Sequence, residues 1–362
     1  MQNSCIIEQN RTEQNYNYGL SLLKIWMSFE VVFTHLWNRK ENGLIFLKLF
    51  SKTTVMAVPV FMFAAFLLSG NMIMNRSRDK ITSRLRKLYM MNAAWAMVYF
   101  LCFIAELVIF GKGHFAGKNF FDIVSSLASQ LVLAHTLNSP LWFQIDLIVI
   151  TALFAFIYCK FSERTAFYCV MLLGILAVIF QYSGLNVFIF WRGNGIAKYT
   201  PGRICEMIPF AALGILFVKY DVMNRLKVHR GISVVFFALI WSALLLFGKY
   251  IPRPSGGFQY QGLSLILSSV SLAVMFYLLP MDKLPGYAKS AVRNLSRLTP
   301  SSYCMHILAG RYIRIIFHVN NGFSFAGCLV VYVVCLALGF VISLTGGKFS
   351  KYLTGIQKSC EN

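Results

Sequence analysis

The sequence predicts an all-α membrane protein that crosses the bilayer about ten times. Hydrophobic residues make up 57% of the 362 positions and charged residues only 13%, which is too apolar for a soluble domain of this length. The apolar residues gather in runs, most of which approach the ~20 residues that a helix needs to cross the hydrocarbon core. The predicted spans are residues 19–37, 53–74, 88–110, 141–159, 166–182, 204–218, 232–248, 261–280, 299–318 and 325–345.

A shorter apolar run at 123–135 predicts a re-entrant or interfacial segment rather than a further span. We predict a polar cytoplasmic tail at 1–18, one transmembrane domain at 19–345 and a short cytoplasmic tail at 346–362. The first tail is too long and too acidic for the n-region of a signal peptide, so we expect the first span to be retained.

The basic residues predict the orientation of the chain. Of the 34 Lys and Arg residues, 20 fall on one side of the membrane if the N-terminus is cytoplasmic, and 11 fall on the other. The positive-inside rule then places both termini and the loop 75–87 in the cytoplasm and the loop 38–52 outside. The net charge of +21 therefore reports topology, with membrane lipids as the expected surroundings and no nucleic acid as a partner.

The chain lacks the short motifs of common soluble enzymes and of metal sites. It has no Walker loop, no G-x-S-x-G elbow and no H-E-x-x-H pair. Its nine cysteines show neither a C-x-x-C pair nor a Cys/His ligand spacing. We therefore expect no metal cofactor and no disulfide framework, and the sequence predicts no particular oligomeric state.

The first span carries two ionisable residues, Lys24 and His35, that are 11 positions apart. On a helix this spacing puts both on one stripe, about 16 Å apart. Ionisable residues inside a span are costly and are functional candidates by default. The structural alternatives are a Lys24 side chain that snorkels to the headgroups and a His35 ring that merely lies at the interface.

The loop 75–87 contains six basic residues and one acid. Most of them are explained as topological anchors. Arg84 and Lys87 differ, because they directly precede the third span and share a helix face at spacing i, i+3. This pair is suited to bind a phosphorylated, nucleotide-like ligand at the membrane surface.

Further polar residues lie in or beside the later spans. Arg203 and Glu206 share a helix face and are placed either to pair with each other or to bind a ligand. Arg311 and Arg314 either line an aqueous path or lie near the outer interface. The candidate substrate-binding residues are Asp146, Arg203, Glu206 and His306.

Three segments near the start of the chain carry the most specific motifs: Gly19–Ser28 followed by His35, Val58–Gly70, and Arg84–Tyr89. In this order they resemble the opening helix and its histidine, the VPxFFxxSGFL helix and the R-x-x-R-[IL]-Y segment of the acyltransferase 3 family of bacterial integral-membrane acyltransferases. Weaker matches extend the resemblance across nearly the whole chain, at Leu141–Phe143, Ile208–Gly214 and Ser302–His306.

The resemblance implies an enzyme of the bacterial cytoplasmic membrane that takes an acyl group, expected to be acetyl, from cytoplasmic acyl-CoA. The acceptor it implies is a hydroxyl of a surface glycan, a lipid-linked sugar or a related molecule. His35 matches the family's catalytic histidine, acting either as general base or as carrier of the acyl group. Lys24, Arg84 and Lys87 match its donor-binding cations.

The chain departs from the family pattern at two of these positions and at one further residue. Lys24 and Lys87 stand where arginine is usual, and Ser21 replaces an acidic residue. Lysine keeps the charge but lacks the bidentate fork of arginine. This difference affects how tightly the donor is expected to bind and leaves the predicted class of protein unchanged. The alternative from another class is a transporter or flippase for a polar or lipid-linked substrate, with His35 and Arg311 or Arg314 lining its path.

Overall fold

The computed structural model describes most of the chain, and the regular elements in those parts are all helical. The described residues are 16–38, 45–111, 113–133, 141–183, 196–252, 254, 260, 262–319, 322–345 and 347–354. The predicted tails at 1–18 and 346–362 lie largely outside them. The all-α prediction is confirmed for the described residues.

Fourteen α-helices make up the described part of the chain. We number them α1 (Tyr18–Leu36), α2 (Ile45–Thr53), α3 (Ala57–Met74), α4 (Arg78–Phe110), α5 (Phe120–Leu133), α6 (Trp142–Lys160), α7 (Glu163–Tyr182), α8 (Ile196–Lys219), α9 (Val222–Val228), α10 (Arg230–Phe247), α11 (Leu263–Leu278), α12 (Gly286–Ile316), α13 (Phe325–Leu344) and α14 (Lys348–Thr354).

Seven helical segments of the described residues are long and apolar enough to cross a membrane. They are Phe50–Met74, Arg78–Phe110, Trp142–Lys160, Glu163–Tyr182, Arg230–Tyr250, Leu263–Lys283 and Phe325–Leu344. The predicted spans 19–37, 204–218 and 299–318 also form helices, as parts of α1, α8 and α12, but fall below this apolarity because polar side chains interrupt them. The count of ten spans stays a prediction.

The short apolar run at 123–135 forms most of helix α5, with residues 134 and 135 outside the described part. Its polar residues Ser126 and Gln130 are buried, while Phe120 and Phe121 are more than 70% exposed. This is the reverse of a water-soluble helix and is typical of a surface that faces lipid.

Contacts between helix ends group the connecting segments into two sets. At one end, Arg76 Nη2 donates to the carbonyl of Phe161 over 2.7 Å, and Lys219 pairs with Glu163. At the other end, the backbone N–H of Phe323 donates to the carbonyl of Leu36 over 2.8 Å. Each contact joins segments that the predicted topology puts on the same side. Which end faces the cytoplasm stays a prediction.

Helix α1 lies at the centre of the bundle and packs against α3, α11, α12 and α13. The approach of α12 is close because Gly310 has no side chain. A Cβ atom at Gly310 would lie 2.7 Å from Cδ2 of Leu36, well inside van der Waals contact. Gly310 thus brings α12 against the last turn of α1, where His35 is located.

Helix α12 contains Pro300 in its interior. Proline has no N–H to donate, so the carbonyl of Ser296 loses its usual helical partner. The Thr299 hydroxyl donates to that carbonyl over 2.9 Å and replaces the missing bond. This replacement hydrogen bond gives the Ser296 carbonyl a partner inside the bundle, where a backbone group without a partner is costly.

Candidate active site

A cavity of about 300 Å³ lies between α1, α3, α4, α6 and α12. Most of its wall is apolar, and polar groups are confined to a few positions. Its lining residues are Lys24, Phe61, Ala64, Ala65, Leu68, Arg84, Leu88, Met91, Phe143, Gln144, Leu147, Ser296, Thr299, Pro300 and Tyr303. The volume and the mixed lining are typical of a small-molecule site.

The cationic end of this cavity is formed by Lys24 on α1 and Arg84 on α4. Arg84 Nε is buried and has no hydrogen-bond partner among the described residues. Neither cation forms an ion pair with another described residue, and two such cations at a cavity suit an anionic ligand. Lys87, one turn further along α4, is exposed and does not line the cavity.

At the other end of the cavity, Gln144 and Tyr303 provide polar atoms. The Gln144 side-chain N–H donates to Sγ of Cys304 over 3.0 Å. Its carbonyl oxygen, Oε1, is buried and accepts no hydrogen bond from any residue that the structure describes. A buried acceptor left open costs free energy, so this oxygen is a candidate contact for a ligand that fills the cavity.

His35 and His306 lie side by side beyond Tyr303. Their ring centroids are 5.3 Å apart with the planes tilted by 39°, and the ring of His306 is 6.2 Å from that of Tyr303. His35 is exposed, whereas His306 is fully buried. The structure therefore brings together two histidines that are 271 positions apart in the sequence. No pattern in the sequence indicated this contact.

The buried hydroxyl of Tyr99 on α4 holds the histidine-bearing turn of α12 in place. This hydroxyl donates to the carbonyl of Cys304 over 2.9 Å and accepts from the N–H of Leu308 over 3.2 Å. Sequence analysis did not select Tyr99. A tyrosine in the middle of a predicted span was the available signal, because its hydroxyl needs a partner there.

A second group of polar side chains surrounds Asp146 on α6. Asp146 is fully buried, and neither of its carboxylate oxygens has a hydrogen-bond partner in the part of the chain that the structure describes. It interacts electrostatically with Arg203 on α8, whose guanidinium lies 4.8 Å from the ring of Trp142. Two nitrogens of Arg203, Nε and Nη2, are also buried and have no hydrogen-bond partner among these described residues.

Glu206, one turn after Arg203, accepts a hydrogen bond from the backbone N–H of Tyr260 over 3.4 Å. The ring centroids of Tyr260 and Trp142 are 5.6 Å apart. Tyr260 and Glu206 therefore belong to the same group as Arg203. The structure thus gathers Asp146, Arg203 and Glu206, while His306 lies in the histidine pair.

The two arginines of the ninth predicted span are engaged with neighbouring residues. Arg311 forms a bidentate ion pair with Glu106, at 2.7 Å for each hydrogen bond. Arg314 donates to the carbonyl of Leu36 over 3.4 Å and stacks on Phe323. Both guanidinium groups therefore have structural contacts. Within the described residues, no three His, Cys, Asp or Glu side chains form a group that fits a metal ion.

Comparison with protein families decides the class of the chain. The model of the acyltransferase domain known as acyltransferase 3 matches residues 17–344. The chain belongs to the acyltransferase 3 family. Together with its apolar helices, this makes the protein a multi-pass membrane acyltransferase. Searches of curated proteins and of solved structures found no match.

Proposed function

We propose that this acyltransferase moves an acyl group, expected to be acetyl, from cytoplasmic acyl-CoA to a hydroxyl of a surface glycan or related acceptor. The observation that carries the proposal is the cavity with Lys24 and Arg84 at one end and Tyr303, beside the histidine pair, at the other. A donor with phosphates at one end and a thioester at the other fits such an arrangement.

The donor binds with its phosphates at the cationic end. Lys24 and Arg84 contact the phosphates directly, and the exposed Lys87 adds charge at the entrance. The thiol arm follows the apolar wall toward the histidines. Lys24 and His35 belong to one continuous helix, and their 11-residue separation corresponds to about 16 Å along its axis.

His35 acts on the acceptor hydroxyl. Its ring takes the hydroxyl proton while the oxygen attacks the thioester carbonyl, so that a C–O ester bond forms and the C–S bond breaks. The proton then passes from His35 to the sulfur of the departing CoA thiol. An exposed ring is accessible to both substrates, as this role requires.

The acceptor binds to the group formed by Asp146, Arg203 and Glu206, with His306 beside it. The oxygens of Asp146 and two nitrogens of Arg203 are buried with no hydrogen bond to another described residue. Such atoms are costly to bury, and a ligand that supplies hydrogen bonds relieves that cost. Asp146 offers acceptors and Arg203 offers donors, and a hydroxyl group both donates and accepts. The aromatic rings of Trp142 and Tyr260 beside them suit the apolar face of a sugar ring.

Substitution of His35 tests the proposal. We expect His35→Ala to insert and express normally but to reduce acyl transfer by roughly 10² or more, the usual contribution of a positioned acid–base group. The assay follows labelled acetyl from acetyl-CoA in membranes that contain matched amounts of each variant. His229→Ala, at an exposed histidine outside the site, is the control.

The same assay separates the enzyme from the transporter alternative. A transporter releases no CoA from acetyl-CoA, whereas the proposed enzyme releases one CoA for each acyl group transferred. Full activity in the His35→Ala variant contradicts the assignment of His35.

A further inference from the structure

We propose that His306 is a positioning residue for His35: its Nε2 atom accepts a hydrogen bond from the ring N–H of His35 and directs the other ring nitrogen of His35 toward the substrates. This inference rests on the proposed function, because it concerns how the catalytic histidine is held. It assigns His306 a role apart from contact with the acceptor.

The tautomer of His306 follows from its hydrogen bond. Nδ1 lies 2.7 Å from the carbonyl oxygen of Tyr303. A carbonyl oxygen only accepts, so Nδ1 carries the proton. The ring is fully buried and has no carboxylate paired with it among the described residues. A charged ring in such surroundings is strongly disfavoured, which leaves Nε2 as an unprotonated acceptor.

This acceptor is unused within the described part of the chain. Nε2 is buried and has no hydrogen-bond partner. An unpaired buried acceptor is costly, and most such groups in proteins serve a ligand or a functional step. The neighbouring ring that can supply a donor is His35, at a centroid separation of 5.3 Å.

The surrounding structure fixes His306 but leaves His35 accessible. The bond to Tyr303 and the contacts of Tyr99 with Cys304 and Leu308 hold the α12 turn. His35 is exposed and belongs to the last turn of α1. A rotation of the His35 side chain is therefore sufficient to form the bond, while His306 remains still.

The hydrogen bond serves the chemistry without any proton transfer to His306. When His35 takes the acceptor proton, it becomes a cation with two N–H groups. One of them then donates to a neutral, fixed nitrogen, and hydrogen bonds to charged groups are stronger than those between neutral groups. His306 thus stabilises the charged form of His35 and fixes which of its nitrogens faces the substrates.

Two substitutions at one position separate positioning from packing. His306→Gln keeps an acceptor oxygen at the end of the side chain, whereas His306→Phe keeps a planar ring and has no acceptor. We expect His306→Phe to lower kcat by about 10-fold or more, as for loss of a bond to a charged group. We expect His306→Gln to recover most of kcat, and the KM for acetyl-CoA to change little in either variant.

A second measurement needs no transfer activity. Diethylpyrocarbonate carbethoxylates neutral imidazole nitrogens, and mass spectrometry of peptides resolves His35 from the exposed reference His229. We expect carbethoxylation of His35 relative to His229 to slow by about fivefold in His306→Phe, the effect of one neutral hydrogen bond, and to stay near the wild-type rate in His306→Gln.

Gly310→Ala supplies an independent variant if substitution of His306 prevents folding. Its added Cβ would lie 2.7 Å from Cδ2 of Leu36, so it disturbs the packing of α12 on the residue next to His35 and leaves His306 intact. It should also slow the labelling of His35. The inference is overturned if His306→Phe keeps the wild-type labelling rate and the wild-type kcat. If His306→Phe does not fold, the same result in Gly310→Ala overturns it. An active His35→Ala enzyme instead overturns the proposed function. The labelling experiment then still tests whether His35 and His306 form a hydrogen bond.

Discussion

Arg84 provides the sharpest test of the donor site. It lines the cavity from the start of α4, and its Nε atom is buried without a partner. Arg84→Ala removes a charged donor from the lining of the cavity. Because the guanidinium has no partner within the described part of the protein, its loss breaks no described hydrogen bond.

The expected loss of donor affinity follows from the type of contact. A hydrogen bond to a charged group contributes about 1.5–3 kcal/mol, so donor affinity should fall by about 10–150-fold. Lys24→Ala should cause a loss in the same range, because Lys24 lines the same cavity. Lys87 is exposed and lies outside the lining, so Lys87→Ala should reduce affinity by no more than about fivefold, as for a surface ion pair.

Binding of radiolabelled acetyl-CoA to purified protein in detergent measures these affinities directly. Arg86→Ala is the matched control, since Arg86 belongs to the same helix, carries the same charge and is exposed. Equal losses from Arg86→Ala and Arg84→Ala would mean that the basic loop acts through its general charge. An unchanged affinity in Arg84→Ala refutes a donor site in this cavity.

Two further predictions concern the acceptor and the topology. Asp146→Asn should raise the KM for the acceptor by about 10-fold, through loss of hydrogen bonds to a charged group, with the KM for acetyl-CoA unchanged. Kinetics with envelope extract as the acceptor check this, and an equal change in both KM values argues against it. Single cysteines in a cysteine-free background should react with an impermeant thiol reagent at 38–52 but not at 75–87. The reverse pattern contradicts the predicted orientation and removes the access of cytoplasmic acyl-CoA to Lys24 and Arg84.

Much of the fold was predictable because membrane helices follow simple rules. Apolar length is a local property, and it located most of the predicted spans to within a few residues. The exceptions are α4, α8 and α12, which begin at Arg78, Ile196 and Gly286, well before the predicted starts at 88, 204 and 299. The exact span count was harder, since α1, α8 and α12 mix apolar runs with polar residues. The glycine contacts that set the distance between α1 and α12 depend on which helices are neighbours, and no local pattern gives that.

The candidate site was predictable only in part for the same reason. Helix periodicity was sufficient to relate Lys24 to His35, because both lie on one helix. It gave no means to see that Arg84 lines a cavity with Lys24 while Lys87 does not. The pairing of His35 with His306 and the support from Tyr99 depend on contacts between distant helices, which a single sequence does not encode in any short pattern.

Three of the ten predicted spans are less apolar than the other seven, and the helices that contain them carry the most polar groups of the proposed site. α1 contributes Lys24 and His35, α8 contributes Arg203 and Glu206, and α12 contributes Tyr303 and His306. Polar groups inside a bilayer are tolerated where other helices shield them from lipid. Much of the surface of α7, α10 and α13 is apolar and exposed, which suits contact with lipid. The proposed site thus lies among helices that other helices shield from lipid, which is the condition that a reaction with charged intermediates within the membrane requires.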